Sequence, residues 1–494
     1  MRNAEGCVWS PPVEQEGLPL GLVVAVALAL AACGGPTQQA DPAGVDPVDP
    51  RSADFQSGTR LKLPFWSSAD GVTRWQGTIY DTARGEPCIF QRAADGKRRC
   101  LPDTSILQED LFGDAACTQP LAAGAGGTPE GYARLYLATP ACEEGARVEL
   151  REVGPELGRD PAYALSDAGC VLTTPVSRLV HYRTGRALPP DLFVAADQVV
   201  LPATEVPGRL AEVYLRAEDG ARIRMGLYDM QEDVPCTAQV TGDGATRCVP
   251  AGSYVDNSSG DLGRPDCSGP RIATALACRQ GKADLVALDD GACPRHVQLY
   301  APGPAWPGGQ TYRQSEQGAC VAGPVVTTPS VQIVDALDPA RFARLEIRHR
   351  GAGRLRDTRY QEAGASTSIA PSRWVYDSLL GEPCAFGTAP DGEIRCVPSL
   401  LLTLYRDAAC ADPVGLDILG GPCDVVPANY VAADGRLHAH GDRLSAPPAE
   451  LFGIAPETGA CQSANVWLSS TFSYYEIGPA ISAELVAATS VTYQ

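Results

Sequence analysis

Hydrophobic and polar positions alternate with period two along most of this chain. Runs such as RLKLPFW from Arg60, GTIYD from Gly77, ARLYL from Ala133, RVELREV from Arg147, SRLVHYR from Ser177, AEVYLRAE from Ala211 and VQLYA from Val297 put every second side chain on one face. That is the pattern of a half-buried strand. The runs are punctuated by Gly, Pro and Asp-Gly pairs, and Asp-Gly between alternating apolar residues is a strong hairpin signal, because its turn needs positive φ. Helical periodicity is weak, confined to a turn or two in SILQEDLFGD from Ser105 and ISAELVAATS from Ile481. The expected fold class is therefore all-β.

One sentence of sequence is written three times: YDTARGEPCIFQRAADGKRRCLP from Tyr80, YDMQEDVPCTAQVTGDGATRCVP from Tyr228 and YDSLLGEPCAFGTAPDGEIRCVP from Tyr376. Its first cysteine recurs at a constant interval of 148 residues, as Cys88, Cys236 and Cys384, and the second follows twelve later, as Cys100, Cys248 and Cys396. An Arg-Leu precedes each copy, at Arg60, Arg209 and Arg344. A fixed period marks a repeat architecture. The reading divides the chain into residues 1–33, 34–58, and three modules at 59–206, 207–342 and 343–494. The third departs by an insertion, Gly351 to Trp374, and the second by an extra Cys293. Two blades per module would give a β-propeller-like ring of six, within the range of about four to eight blades. Tandem disulfide-stapled β-sandwiches in a rod are the alternative.

The N-terminus changes the picture from fold to location. Leu18 to Ala32 is a charge-free apolar run, shorter than the ~20 residues of a spanning helix and of signal-peptide length. It ends in Leu30-Ala-Ala-Cys33, which resembles a bacterial lipobox, so Cys33 is the expected lipidation site and a membrane is an expected partner through the acyl chains. An ordinary secretory signal with a chance cysteine is the competing reading, and Glu5, Glu14 and Glu16 depart from the usual basic start. Gly34 after the cysteine, rather than Asp, points by enterobacterial analogy to the outer membrane. Gly34 to Gly58 is rich in Pro, Asp and Gly and reads as a disordered tether. A net charge of -19 repels phosphate backbones and excludes nucleic acid as an expected partner.

The lipobox, the repeated YD…C…DG…RC(L/V)P sentence, the DAAC elements at Asp114 and Asp407, and a basic complement with lysine only at Lys62, Lys97 and Lys282 resemble the large cysteine-rich lipoproteins of myxobacteria. The resemblance spans residues 56 to 494. It implies an extracytoplasmic lipoprotein and brings no assigned activity and no catalytic residues.

Candidate chemistry is sparse. The pairs Tyr80-Asp81, Tyr228-Asp229 and Tyr376-Asp377 offer three carboxylates around an axis, but catalysis needs dissimilar groups converging once. A strand-end Tyr packing inward and an Asp bonding its own turn is the favoured reading. Of the histidines His181, His296, His349, His438 and His440, the last two share a strand face in HAH; without a third matched ligand they read as an exposed edge strand rather than a metal site. Asp256 to Asp266 is oxygen-rich but fails the EF-hand pattern. No Gly-x-Ser-x-Gly, His-Glu-x-x-His or phosphate-loop signature occurs, so no catalytic, metal or cofactor-binding residue is assigned. Cys-x2-Cys zinc spacing is absent too, which makes the cysteines disulfide partners.

Of 18 cysteines, sixteen lie beyond Cys33. Pairing repeated neighbours predicts Cys88–Cys100, Cys236–Cys248, Cys384–Cys396, Cys117–Cys142, Cys267–Cys278, Cys410–Cys423 and Cys293–Cys320. That leaves Cys170 and Cys461 to join the first and third modules. A two-residue turn at Asp95-Gly96 would set Cys100 opposite Gln91, so the first bond needs a longer, bulged loop. Together these features predict a non-enzymatic, lipid-anchored envelope or cell-surface protein whose scaffold binds a glycan, peptide or envelope-protein ligand. A secreted hydrolase with a site unique to the third module, and a purely structural envelope protein, are the alternatives.

Overall fold

The computed structural model describes most of residues 55–492. It leaves out residues 1–54 and several internal stretches, among them 138–146, 174–179, 257–261, 277–281, 290–295, 418–429 and 465–471. The apolar run, Cys33, residues 34–54 of the expected tether, and Cys142, Cys278, Cys293 and Cys423 lie outside the described residues. The last four tether residues are described, and Phe55–Gln56 is a strand paired with Ile223 and Arg222, so the sheet reaches into the span read as tether. The described chain is all-β, with strands from Phe55–Gln56 to Ala488–Thr492 and two 3-10 turns at Pro190–Leu192 and Pro339–Arg341. The two segments with weak helical periodicity hold strands and no helix among their described residues, at Ser105–Leu107, Leu111–Phe112 and Ala488–Thr492. Pairing with neighbouring strands overrides so short a periodic signal.

Each module opens with a hairpin, as in Leu210–Ala217 and Arg222–Asp229, and continues into the motif hairpin, as in Val234–Val240 and Thr246–Pro250. Asp-Gly makes the motif turn, with Gly96, Gly244 and Gly392 at φ of 81°, 74° and 83°. The loop is longer than two residues: Phe90, not Gln91, faces Cys100. This shift sets Cys88 and Cys100 with Cα atoms 5.2 Å apart, close enough to bond. The Cys236–Cys248 and Cys384–Cys396 bonds repeat it.

After the motif hairpin the chain builds an outer sheet and then returns through a connector strand: Ala195–Pro202, Leu345–Arg350 or Ala488–Thr492. Each connector pairs with an opening strand. Ala195–Pro202 pairs with Leu210–Ala217, Leu345–Arg350 with Leu355–Glu362, and Ala488–Thr492 with Pro64–Ser68 in the first module. Behind, each touches a motif hairpin, at Ala195–Arg99, Arg344–Arg247 and Ala487–Arg395. The end of the chain therefore meets its beginning, and the three modules close a ring. Sheets run across module boundaries, one of them ten-stranded, so they do not separate into two blades per module. Nor do the modules form a rod of independent sandwiches.

The cores follow the same cycle. Leu61, Ile79, Cys88 and Cys100 of the first module pack with Leu215, Ala221 and Ile223 of the second. Leu210, Leu227, Cys236 and Cys248 pack with Leu345, Tyr360 and Ile369, and Leu355, Val375, Cys384 and Cys396 pack with Val72 of the first module. Each fully buried aliphatic side chain contributes about 1.5–3 kcal/mol, so every module stabilises itself partly on its neighbour's hairpin.

The outer sheets are variants of one five-stranded unit, open in the first module and a closed barrel in the second, from Gly252–Asp256 to Ser330–Ala336. In each, one long antiparallel pair carries repeated register shifts, Arg147–Gly158 against Val180–Ala187 being the first. Such bulges bend strands and let a sheet curl. A small outer hairpin is stapled to the loop after the motif by Cys117–Cys170, Cys267–Cys320 and Cys410–Cys461. These bonds replace the expected Cys117–Cys142, Cys267–Cys278, Cys410–Cys423 and Cys293–Cys320 pairs, and they bond Cys170 and Cys461 within their own modules rather than to each other. The turn holding the first cysteine of each staple bends sharply, putting Cys117, Cys267 and Cys410 at φ of 51°, 53° and 52° and aiming the sulfur at the late hairpin.

Candidate functional site

The repeated Tyr-Asp pair is the first place to look for chemistry. Asp81, Asp229 and Asp377 are 0% exposed. Each is held by an arginine: Arg60 at 2.6 Å, Arg209 at 2.7 Å and Arg354 at 2.8 Å. Each also accepts backbone N–H groups of its own turn, from Ala83, from Gln231 and Glu232, and from Leu379 and Leu380. Arg60 and Arg209 reach on to the Leu192 and Arg341 carbonyls before the connectors. A carboxylate held in this way is withdrawn from solvent with both oxygens engaged, and its ion pair fixes geometry more than it adds stability.

Two details differ from the sequence reading. The tyrosine does not pack inward in the first module, where Tyr80 is 42% exposed while the Asp is buried. The third-module counterpart of Arg60 and Arg209 is Arg354, inside the supposed insertion, and not Arg344, which precedes the connector strand.

A second triad of carboxylates locks the modules together. Asp219 accepts from the Arg60 and Leu61 amides at 3.0 and 2.6 Å. Glu362 accepts from Arg209 and Leu210 at 2.7 and 3.0 Å. Asp70 accepts from Leu355 at 3.2 Å. The second module thus secures the first, the third the second, and the first the third. A glycine lies against each carboxylate side chain: a Cβ on Gly58, Gly208 or Gly353 would come within 2.2, 2.2 or 2.9 Å of Asp219, Glu362 or Asp70.

The motif turn completes the set. Asp95, Asp243 and Asp391 bind Arg99, Arg247 and Arg395, whose Nη1 atoms donate to the Phe193, Phe342 and Leu485 carbonyls beside the connectors. Burial opposes ionisation of Asp243, but hydrogen bonds from Arg247, the Thr241 hydroxyl and the Ala245 amide outweigh it and hold the carboxyl at about 2.

The histidines are dispersed. His438 and His440 lie on Arg436–Arg443, an inner strand between Tyr430–Ala433 and Ser473–Ala480 rather than the exposed edge expected. Their Nδ1 atoms lie 3.1 and 2.9 Å from the Gly478 and Gly441 carbonyls, and a register shift falls between them. His181 is buried. His349 lies on the second module's connector strand, Leu345–Arg350, stacked on Tyr376 of the third module. Among the described residues no group of three His, Cys, Asp or Glu side chains is placed to hold a metal ion. Residues 257–261 of the calcium-like loop lie outside them, and Asp266 accepts from Ser268 in its own turn.

What these parts define is a cyclic, disulfide-stapled all-β protein of three modules, in which the repeated polar residues serve the joints. The chain matches the model of DUF7481, a family of unknown function, over residues 26–486 and belongs to that family. No curated protein and no solved structure matches it. Its disulfides indicate an oxidising, extracytoplasmic compartment. No helix among the described residues is long and apolar enough to cross a membrane.

Proposed function

We propose that this is a lipid-anchored envelope or cell-surface protein, attached through Cys33, whose closed ring of modules is a non-catalytic scaffold for binding an extracytoplasmic ligand. One observation carries the non-catalytic part. The groups written three times are consumed within each module: the Tyr-Asp carboxylates are fully buried against arginine and their own turns. What repeats is therefore architecture, and recognition falls to surfaces on which the modules differ. The apolar run ending at Cys33 supports the anchor, and the disulfides agree with the compartment in which such an anchor operates.

The test has two arms. Metabolic labelling with an alkyne fatty acid should mark the wild-type protein and not Cys33→Ala, which should accumulate as precursor. The acyl-free protein from residue 55 should retain envelope glycan or peptide fragments while releasing no product from ester, glycoside and peptide substrates. An unmodified mature N-terminus away from Cys33 overturns the anchor. Turnover that His438→Ala or His440→Ala abolishes overturns the non-catalytic reading in favour of a third-module hydrolase.

A further inference from the structure

The three modules differ chemically beside the motif tyrosine. In strand register Tyr80 faces Lys62, Tyr228 faces Ala211 and Tyr376 faces Arg356. Tyr228 is occupied by a hydrogen bond to its own loop, at Asp233. Tyr376 instead stacks on His349, with ring centroids 4.2 Å apart and planes 22° from parallel. Thr358 faces His349 across the connector pair, and it lies two residues from Arg356, on the same side of its strand. His349, Thr358, Arg356 and Tyr376 therefore share one face.

That face holds nitrogen atoms without partners. Arg356 is half-buried, its Nε is buried and unbonded, and no carboxylate of the described residues pairs with it. The neighbouring Asp357 points to the opposite face, where Arg74 and Arg359 hold it. The Nε2 of His349 is likewise buried and unbonded, while Nδ1 lies 3.0 Å from the Thr358 hydroxyl. Burial, reinforced by Arg356, favours the neutral ring. In the tautomer whose Nδ1 accepts from the Thr358 hydroxyl, the ring proton sits on Nε2 and makes it a donor. Residues 344–362 carry six arginines against three acidic residues, in a chain of net charge -19. An unpaired buried donor is costly, and a guanidinium fork beside an imidazole N–H matches the oxygens of a carboxylate or phosphate.

We propose that His349, on the second module's connector, and Arg356 and Tyr376 of the third module form a binding site, found at this one junction, for an oxyanion group carried by the scaffold's ligand. Arg356 supplies the charge and the directed N–H groups, His349 a second donor, and Tyr376 with Thr358 fixes the imidazole. The proposal rests on the binding-scaffold reading and names its ligand chemistry: a carboxylate, as in an acidic saccharide, or a phosphate.

Calorimetric titration of the protein from residue 55 with inorganic phosphate and, separately, with glucuronate distinguishes the two sources; sodium chloride at matched ionic strength is the control. A saturable heat is expected with at least one probe. Arg356→Gln should weaken it at least about tenfold, Arg356→Lys less, and His349→Gln by an intermediate factor. Circular dichroism and intact disulfides confirm folding, and Arg356→Lys serves if the glutamine variant misfolds. Heats no larger than with chloride, or unchanged affinity in the Arg356 variants, overturn the site. Acylation and turnover are measured independently, so a silent site leaves the anchored scaffold standing.

Discussion

Removing the inter-module carboxylates one at a time should cost stability in the order in which the protein buries them. Glu362 is 7% exposed and accepts two amides from the second module. Glu362→Ala strands both donors in a site that water reaches poorly. At about 1–3 kcal/mol for each buried donor left unpaired, the loss should be about 3–4 kcal/mol after partial relaxation. Asp219 makes the same pair of bonds but is half-buried, so Asp219→Ala should cost about 2 kcal/mol as water replaces part of the acceptor. Asp70 is exposed and has one such bond, at 3.2 Å, so Asp70→Ala should cost less than about 1 kcal/mol. Urea unfolding of the oxidised protein from residue 55, followed by circular dichroism and by tryptophan fluorescence, measures the series. Coincident transitions by the two probes are required before midpoints become free energies. Equal costs at the three sites, or a larger cost at Asp70 than at Glu362, would refute the claim that these carboxylates act as buried joints.

Three further outcomes follow from the same geometry. Asp229→Ala, which leaves Arg209 without its buried partner, should cost about 3–5 kcal/mol, whereas Tyr228→Phe removes one surface hydrogen bond and should cost less than about 1 kcal/mol; thermal unfolding ranks them. Replacing both cysteines of Cys117–Cys170, which spans 53 residues, should destabilise by about 4 kcal/mol, against about 3 for Cys88–Cys100, which spans 12; non-reducing peptide mapping should first show each bond in the parent, and Cys117–Cys142 in its place would contradict the fold. The depressed carboxyls Asp95, Asp243 and Asp391 contribute stability that is present above about pH 4 and lost as pH falls through their folded values, which for Asp243 is about 2. Acid titration of unfolding should therefore steepen below about pH 4, and less steeply in Asp243→Asn.

The strands, the period and the motif hairpins were legible because each rests on local pattern: alternation, Asp-Gly turns and a fixed interval. Even the bulged register that lets Cys88 reach Cys100 followed from reach and turn geometry. The outer staples were misread because nearness in sequence was weighed above constancy of spacing. Cys117 to Cys142 spans 25 residues, Cys267 to Cys278 spans 11 and Cys410 to Cys423 spans 13, whereas the bonds formed span 53, 53 and 51. That near-constant interval was available in the sequence. Arg354 was hidden by Arg344, because both open an Arg-Leu and only pairing with Asp377 tells them apart. The His349–Arg356 face was not legible, since it depends on register between strands and on partners that are missing, neither of which a linear motif records.

Ring closure is the claim on which the joints, the shared cores and the scaffold reading all depend. Hydrogen exchange, followed by mass spectrometry, on a protein ending before Ala488 tests it most directly. The truncation removes the strand paired with Pro64–Ser68. The account predicts lost protection at Pro64–Ser68 and around Val72, which packs with Leu355, at the opposite end of the sequence from the cut. Exchange that rises only within the third module, with Pro64–Ser68 protected as before, would contradict it.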